Sequence, residues 1–448
     1  MTFPVAKIQE QNMPIQLDNI TKSDLLTYFQ HSWSIYEWLF SAIKSNETYY
    51  EAPDPLRNPL VFYWGHTAAF YINKLLMAGL IEEGINEEYE ILFARGVDPN
   101  LPENLEVHDL WPKIETVTAY RTKVKAVVEA CIEAQDFPIT ITDKDPLWAL
   151  LMGIEHDRIH FETSSMLIRQ LSVDKLQRPA NWKYAPSNGN SPKHKMIQVG
   201  ATEVVIGKQM DASIFGWDNE YGHLPQNVAP FEASQNLITN GEYLEFYNSG
   251  AYHNVAYWSK EALEWSDRGH MRHPKFWVLS GDGFEYRAMF DIIPMPLDYP
   301  VEVNAHEAWA YCKWKGKNYR LMTEAEFHAI AHHEIKTIDC ALQTCYNLNL
   351  KYGSPSPVGS LMKGQSSLGF NDLFGNVWDW LQDDFYPLPD FKTHYLYEDF
   401  SAPYFDDQHS MLLGGAWATT GAGASKYYRL WFRKHFYQHA GFRIARSL

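Results

Sequence analysis

The sequence predicts an α+β protein in which an N-terminal four-helix bundle precedes an irregular α+β domain. The first 172 residues contain long segments whose apolar residues recur every three to four positions, the period of an amphipathic helix. Beyond them the chain changes to short β-like pieces, brief helices and frequent Gly, Asn and Asp turns. An aromatic content of 15% in 448 residues excludes a disordered chain and can supply the cores of two or three domains.

Four segments of the N-terminal part carry the helical period. The first opens with the capping candidates Asp18, Asn19 and Thr21, and the second starts just after Pro55 and Pro59. Four long helices joined by loops favour an antiparallel bundle, a fold that builds sites from side chains on facing helices. The segments are 18–43, 58–81, 117–135 and 145–171.

A stretch rich in Pro, Asn, Ser and Gly follows the helical part and predicts a linker. After the linker, residues 196–207 are β-like, and residues 240–250 and 305–316 form brief helical patterns. Long loops held by aromatic packing fill the remainder of this domain. We therefore expect a helical domain over residues 1–172, a linker over 173–195 and an α+β domain over 196–448.

The acidic balance of the chain, a formal net charge of −17, argues against electrostatic capture of nucleic acid or of an anionic membrane. The N-terminus shows no basic region followed by an apolar run, and no apolar stretch approaches the ~18 residues of a membrane-spanning helix. Four cysteines in so long a chain do not form a disulfide framework. We therefore expect a cytoplasmic protein.

The strongest local signal is the run EHDRIHFE, which places His156 and His160 one turn apart on one helix face. Two such imidazoles can bind one metal ion, whereas Glu162 points to another side and suits a supporting role. His66, in the apolar and aromatic run VFYWGHTAAFYI, is the candidate third ligand. Hydrogen-bonded core histidines are the alternative. Three imidazoles would leave open positions, as in catalytic sites, and suit iron, zinc, copper and nickel alike.

Several motifs resemble one enzyme family, from about residue 20 to the C-terminus. HDRIHFE resembles the HxxxHxE iron motif in the DinB-like helical domain of nonheme-iron sulfoxide synthases. Residues 228–246, 305–327, 369–380 and 412–419 resemble, in the same order, their formylglycine-generating-enzyme-like (C-type-lectin-like) domain. The narrower motifs GWDNEYG, YGSPSPVG and FRKHFYQHAGFR resemble the 5-histidylcysteine sulfoxide synthases of ovothiol biosynthesis.

The resemblance implies that His66, His156 and His160 hold Fe(II). It further implies that L-cysteine, L-histidine and O₂ react to give 5-histidylcysteine sulfoxide. The segment HYLYEDFSAPYFDD resembles the one that carries the family's active-site tyrosine, which places that residue at Tyr397. A phenol can give a proton and, as a radical, an electron.

The resemblance also suggests substrate-binding residues. Arg121, in VTAYRTKVK, matches the position where related enzymes hold the carboxylate of the cysteine substrate, although a solvated helix face is the ordinary alternative. Near the C-terminus, Arg433, Trp431 and Gln438 are further candidates. The family's enzymes for trimethylated histidine carry an Asn-Trp-Asp run where this chain has Leu430-Trp431-Phe432, which favours plain histidine as the acceptor.

Two other functions stay open at this point. One is an ergothioneine-type synthase that joins cysteine or γ-glutamylcysteine to trimethylhistidine (hercynine), and the other is a zinc-dependent DinB-type thiol transferase. Ovothiol enzymes often carry a C-terminal methyltransferase domain for which this chain has no room, so we expect a separate methyltransferase and a lyase to act downstream. No cysteine follows Cys345, which excludes the copper–thiolate chemistry of true formylglycine-generating enzymes.

Overall fold

A computed structural model describes residues 13–94, 96, 98–99, 110–266, 272–331 and 345–448. The chain divides into two compact units. The first comprises the chain up to Asn181 together with Ser213–Phe215 and Thr420–Gly423, and the second comprises the remaining residues. The boundary at Asn181 falls inside the stretch that the sequence predicts to be a linker.

The first unit is helical, as the apolar spacing predicts. Thr21 is the N-cap of the first helix: its Oγ1 accepts a hydrogen bond from the Asp24 amide, and the Asp24 carboxylate accepts one from the Thr21 amide. This capping box satisfies two donors that would otherwise be unpaired at the helix start. The helices are α1 (Lys22–Phe40), α2 (Leu60–Met77), α3 (Glu87–Leu92), α4 (Ile114–Ala134) and α5 (Trp148–Gln170). Both α1 and α2 pack against α4 and α5.

Helices α2 and α5 are buried on almost all sides at their centres. Every residue from Leu60 to Ile72 of α2, and from Trp148 to Arg158 of α5, is buried. Gly153 permits this packing, because a Cβ at that position would lie 2.4 Å from the ring of Tyr71 on α2. Apolar as they are, none of the described helices has the length and hydropathy needed to cross a membrane. Polar groups on α2 and α5 therefore lie in surroundings where they need partners.

The second unit combines small sheets with brief helices. Its strands are β1 (Met196–Val199), β2 (Thr202–Ile206), β3 (Leu224–Val228), β4 (Phe231–Ser234), β5 (Trp277–Ser280), β6 (Gly283–Arg287), β7 (Ile292–Pro294), β8 (Trp378–Asp384), β9 (His409–Leu413), β10 (Leu430–Arg433), β11 (Ala440–Gly441) and β12 (Ala445–Ser447). Its helices are α6 (Asn240–Asn248), α7 (Lys260–Ser266), α8 (Ala305–Lys315) and α9 (Glu324–Ala331). The strands pair in the orders β1-β4-β12, β10-β9-β8-β11, β2-β3 and β5-β6-β7, and of these pairs only β11 with β8 is parallel.

Aromatic side chains form much of the core of the second unit. Trp378, Trp380 and Trp417 are each about 1% exposed, and Trp380 donates its indole N–H to the carbonyl of Val303 at 2.9 Å. Burying these large rings is how a unit with short strands obtains a stable core. The aromatic composition therefore has the structural role that the sequence predicts for it.

Candidate metal centre

Three histidines come together between α2 and α5. His66 lies on α2, and His156 and His160 lie one turn apart on α5, as the spacing predicts. One ring nitrogen from each falls within 4.8 Å of the other two, and Nε2 of His66 is 3.1 Å from Nε2 of His160. Neighbouring nitrogen ligands about 2.1 Å from one ion lie about 3 Å apart, so the donor set fits a metal bound on one face. Among the described residues, this is the group of His, Cys, Asp and Glu side chains that meets the distance for a metal site.

The surroundings of the three rings keep them neutral and fix their orientation. His66 is 3% exposed, and its Nδ1 lies 2.6 Å from the carbonyl oxygen of Phe93. That carbonyl can only accept, so Nδ1 carries the proton and Nε2 presents its lone pair. Burial lowers the pKa of His66 to about 4 and holds the pKa values of His156 and His160 well below the ordinary range. Neutral imidazole is the form that binds metal ions.

Close ring packing orients His156. Its ring stacks on Phe70 with centroids 3.6 Å apart and planes 5° from parallel. Phe70 and His66 both lie on α2, so one helix supplies one ring of the cluster and the surface that orients another ring. Glu162 is buried but is not a member of the cluster, as its angle on the helix predicts.

Arg121 lies inside the bundle and is 1% exposed, so the solvated-face alternative is wrong. Its Nη1 donates to the carbonyl of Trp64 at 2.7 Å and to Oγ1 of Thr67 at 2.9 Å, residues on either side of His66. The guanidinium also lies 4.3 Å from the ring of Trp33 and 4.1 Å from that of Trp64. Nε and Nη2 have no hydrogen-bond partner among the described residues.

Asp157 is a buried group that the sequence reasoning did not single out. It follows His156 on α5, is 1% exposed and accepts a hydrogen bond from the hydroxyl of Tyr71 at 3.1 Å. Burial raises the pKa of its carboxyl to about 6, against the opposing effect of Arg121. The signal available in the sequence was a carboxylate beside a proposed ligand on a helix that has little polar surface.

The remaining predicted residues lie in the second unit. Tyr397 is half-buried in a loop, and burial raises the pKa of its phenol well above the ordinary value. Trp431 and Arg433 are two positions apart on β10 and so share one face of the strand. Trp431 stacks on Phe385 at 4.4 Å, and Arg433 donates to Oε1 of Gln408 at 2.9 Å. Gln438 is 6% exposed and follows β10 in the chain.

Comparison with known proteins finds two family models that match separate parts of the chain. Residues 183–448 match the family model of the sulfatase-modifying factor enzyme 1-like domain, and residues 28–164 match the DinB superfamily. A hercynine oxygenase of Mycobacterium tuberculosis is 26% identical over 417 residues, which cover 88% of this chain and 92% of that protein. Ergothioneine biosynthesis protein 1 of Schizosaccharomyces pombe is 24% identical over 452 residues, covering 91% of this chain and 53% of that protein.

A solved structure, that of PvdO from Pseudomonas aeruginosa, aligns with a TM-score of 0.40 at 19% identity over 56% of this chain and 94% of that one, which adds nothing to the assignment. The two family matches confirm the predicted fold class, a DinB-like helical unit followed by an α+β unit like formylglycine-generating enzymes. The chain belongs to the sulfatase-modifying factor enzyme 1-like family and, within it, to the nonheme-iron sulfoxide synthases. It is an oxidoreductase that forms a carbon–sulfur bond and a sulfoxide.

Proposed function

We propose that the protein is an Fe(II)- and O₂-dependent sulfoxide synthase that joins the sulfur of L-cysteine or γ-glutamylcysteine to the imidazole of trimethylhistidine. The observation that carries the proposal is the cluster of His66, His156 and His160 in the DinB-like unit. The names of the relatives, hercynine oxygenase and ergothioneine biosynthesis protein 1, support trimethylhistidine better than the L-histidine first expected.

The proposed reaction balances with O₂ as the oxidant. The thiol S–H bond and one imidazole C–H bond break, and a C–S bond and an S–O bond form. One oxygen atom enters the sulfoxide, and the other leaves as water with the two hydrogens. His66, His156 and His160 would hold Fe(II), which would supply open coordination positions for the sulfur and O₂ and the redox chemistry of the reaction. A lyase must then act on the sulfoxide to release the thiol-imidazole.

The chain's own groups prepare the metal site. The Phe93 carbonyl holds the proton of His66 on Nδ1, so that Nε2 is ready to bind the metal without a proton transfer. Desolvation lowers the pKa values of His156 and His160 well below the ordinary range and so favours their neutral form. Three neutral ligands leave the full charge of a divalent ion to favour binding of a thiolate.

Tyr397 is the proposed proton donor. The raised pKa of its phenol means that the group holds its proton at neutral pH until a stronger base develops in the reaction. This is the protonation state that a donor needs. The alternative role, packing among the other aromatic side chains of the unit, predicts no effect on the product when the hydroxyl is removed.

We propose cationic and polar side chains as partners for the substrate carboxylates. Nε and Nη2 of Arg121 have no hydrogen-bond partner among the described residues. Together they could donate two parallel hydrogen bonds to the two oxygens of one carboxylate. In the second unit, we propose the same substrate-binding role for Arg433, Trp431 and Gln438. In a chain of net charge −17 an anionic substrate needs such local cations.

L-histidine is a second candidate acceptor, because of one observation in the sequence. Residues 430–432 are Leu-Trp-Phe, where the family's enzymes for trimethylated histidine carry Asn-Trp-Asp. A carboxylate and aromatic rings are suited to a trimethylammonium group, and this run retains only the rings. If L-histidine is the acceptor, a methyltransferase would act on the product, as ovothiol formation requires.

One experiment tests the proposal and separates the candidates. The protein is reconstituted anaerobically with Fe(II), supplied with cysteine and equal amounts of trimethylhistidine and histidine, and exposed to air. Mass spectrometry then quantifies each sulfoxide, and an electrode measures the O₂ consumed. We expect the trimethylhistidine product to predominate; a larger yield from histidine would reverse the order of the two acceptors. Purified protein that contains zinc and consumes no O₂ with any thiol would instead support a thiol transferase.

A further inference from the structure

The loop that carries Tyr397 is hydrogen-bonded to a one-turn helix, Asp218–Glu220, which lies far from it in the sequence of the second unit. The hydroxyl of Ser401, four residues after Tyr397, donates to Oδ1 of Asp218 at 2.5 Å. Nδ2 of Asn219 donates to the same hydroxyl at 3.0 Å. The backbone amide of His394, at the other end of the loop, also interacts with the Asp218 carboxylate. Both ends of the segment 394–401 therefore meet one side chain.

Aromatic contacts hold the middle of the same loop. The ring of Trp217 stacks on Phe400 with centroids 4.1 Å apart and planes 24° from parallel, and its edge faces Tyr397 at 6.4 Å. The amide of Tyr397 donates to the carbonyl of His394 at 2.8 Å, and the amide of Phe400 donates to the carbonyl of Tyr397 at 3.2 Å. These bonds make a tight double turn, so movement of either end is passed to the phenol.

The one-turn helix is itself anchored in the core. The carbonyl of Asn219 accepts a hydrogen bond from Nη1 of Arg429 at 3.0 Å, and Arg429 pairs with Glu324 at 2.7 Å. Asp218 and Asn219 are 8% and 0% exposed, so their bonds to the loop are shielded from water. A buried hydrogen bond to an ionised group contributes more than an exposed one. The support for the loop is thus rigid.

We propose that Asp218 is a positioning residue for Tyr397. By binding both ends of the loop, Asp218 determines the position of the Tyr397 phenol during the reaction. This inference rests on the proposed function, because it presumes that Tyr397 delivers a proton. When the phenol is displaced, O₂ and the thiol have a simpler outcome: both oxygen atoms add to the sulfur and give the sulfinate, which needs no proton donor for its balance. The ratio of sulfoxide to sulfinate therefore reports the position of the phenol.

The test compares Asp218→Ala, Asp218→Asn, Ser401→Ala and Tyr397→Phe in the Fe(II)-loaded full chain. We expect Asp218→Ala to lower the sulfoxide-to-sulfinate ratio about tenfold to a hundredfold, because a displacement of about 1 Å has effects of that size. Asp218→Asn keeps an acceptor for Ser401 and should restore most of the ratio. Asp211→Ala removes a charge from an exposed position of the same unit and should leave the ratio unchanged.

The outcomes separate the two proposals. In the Tyr397→Phe background, Asp218→Ala should change the ratio no further, because the group that it positions is gone. An unchanged ratio in folded, iron-loaded Asp218→Ala, alongside sulfoxide from the wild type, overturns the positioning role alone. If Asp218→Ala does not fold, Ser401→Ala decides, since it removes only a hydroxyl. A wild type that forms neither product with either acceptor overturns the proposed function and this inference with it.

Discussion

The Nδ1 atom of His66 lies 2.6 Å from the carbonyl oxygen of Phe93, a residue just past the C-terminal end of α3. The same Phe93 places its ring against Gly65, where a Cβ would be 2.6 Å from the ring carbons. The glycine before the proposed ligand thus decides how closely the carbonyl partner of that ligand can approach. Metal affinity should depend on this contact.

We expect Gly65→Ala to lower the affinity for Fe(II) by about 10- to 100-fold, the usual effect of disturbing a group that orients a metal ligand. The added methyl must displace Phe93, and the His66 ring loses its hydrogen bond. Chelator competition measures the affinity. Gly283→Ala is the control, because nothing lies within 4 Å of a Cβ at that position. Equal affinities for the two variants would show that Phe93 does not orient the ligand.

His160→Ala should abolish stoichiometric iron binding and all O₂ consumption, because two imidazoles are left to hold the ion. The second unit should keep its fold, since His160 belongs to the first unit. Metal analysis after desalting and near-ultraviolet circular dichroism check the two statements. His223→Ala, at an exposed position, is the control. Retention of a full iron equivalent in His160→Ala would remove this residue from the ligand set.

Tyr397→Phe should keep iron but direct the reaction toward cysteine sulfinate, because the donor hydroxyl is lost while the ring remains. The ratio of the two products, measured by mass spectrometry, should fall by at least about tenfold, the usual contribution of a general acid being 10²–10⁴-fold. Tyr395→Phe serves as the control, since Tyr395 is 50% exposed and two residues away. A wild-type product ratio in Tyr397→Phe would rule out the tyrosine as a donor.

We expect the titration of Glu307 to contribute to the pH dependence of the free energy of unfolding. Burial raises the pKa of this carboxyl from its ordinary 4.5 to about 7, although it accepts hydrogen bonds from the Asn304 amide and the Tyr252 hydroxyl. Between pH 4.5 and 7 the folded protein retains a proton that the unfolded chain has released. The free energy of unfolding therefore falls as pH rises through this window, by at most about 1.4 kcal/mol per pH unit from this group.

Glu307→Gln removes the titration and keeps the shape of the side chain. Urea unfolding between pH 5 and 8 should show the wild type losing stability relative to Glu307→Gln as the pH increases. The exposed Glu398→Gln variant provides the reference for a change of one charge. Parallel stability curves for the wild type and Glu307→Gln would mean that Glu307 is already ionised at pH 5 in the folded protein.

Local patterns were enough to predict the helical elements and that His156 and His160 share one helix face. The spacing of His156 and His160 is set by helix geometry alone, and the apolar neighbours of His66 indicated that it would be buried. The orientation of His66 could not be predicted, because its partner Phe93 lies just past the end of another helix and contributes only a backbone atom. Every residue offers such a carbonyl, so the sequence carries no sign of which one is used.

Arg121 shows a different limit of sequence reasoning. Its helix carries lysines nearby, so an exposed face was a reasonable alternative, yet the guanidinium is packed between Trp33 and Trp64. Arginine can be buried in this way because its charge is delocalised and its flat face stacks on aromatic rings. Whether a side chain goes inside depends on rings contributed by two other helices, which the local pattern around Arg121 does not contain.

The proposed iron ligands lie far apart in the chain, with α3 and α4 between them, and this has a consequence for metal handling. Of these three residues only His156 and His160 are close in the unfolded chain, and the complete set comes together only after α2 has docked on α5. Tight metal binding is therefore a property of the folded bundle and adds to its free energy of unfolding by mass action. A newly synthesised chain would bind iron only after the bundle has folded, and unfolding of the bundle would release the iron. The iron content of the protein would therefore report the fraction of chains whose bundle is folded.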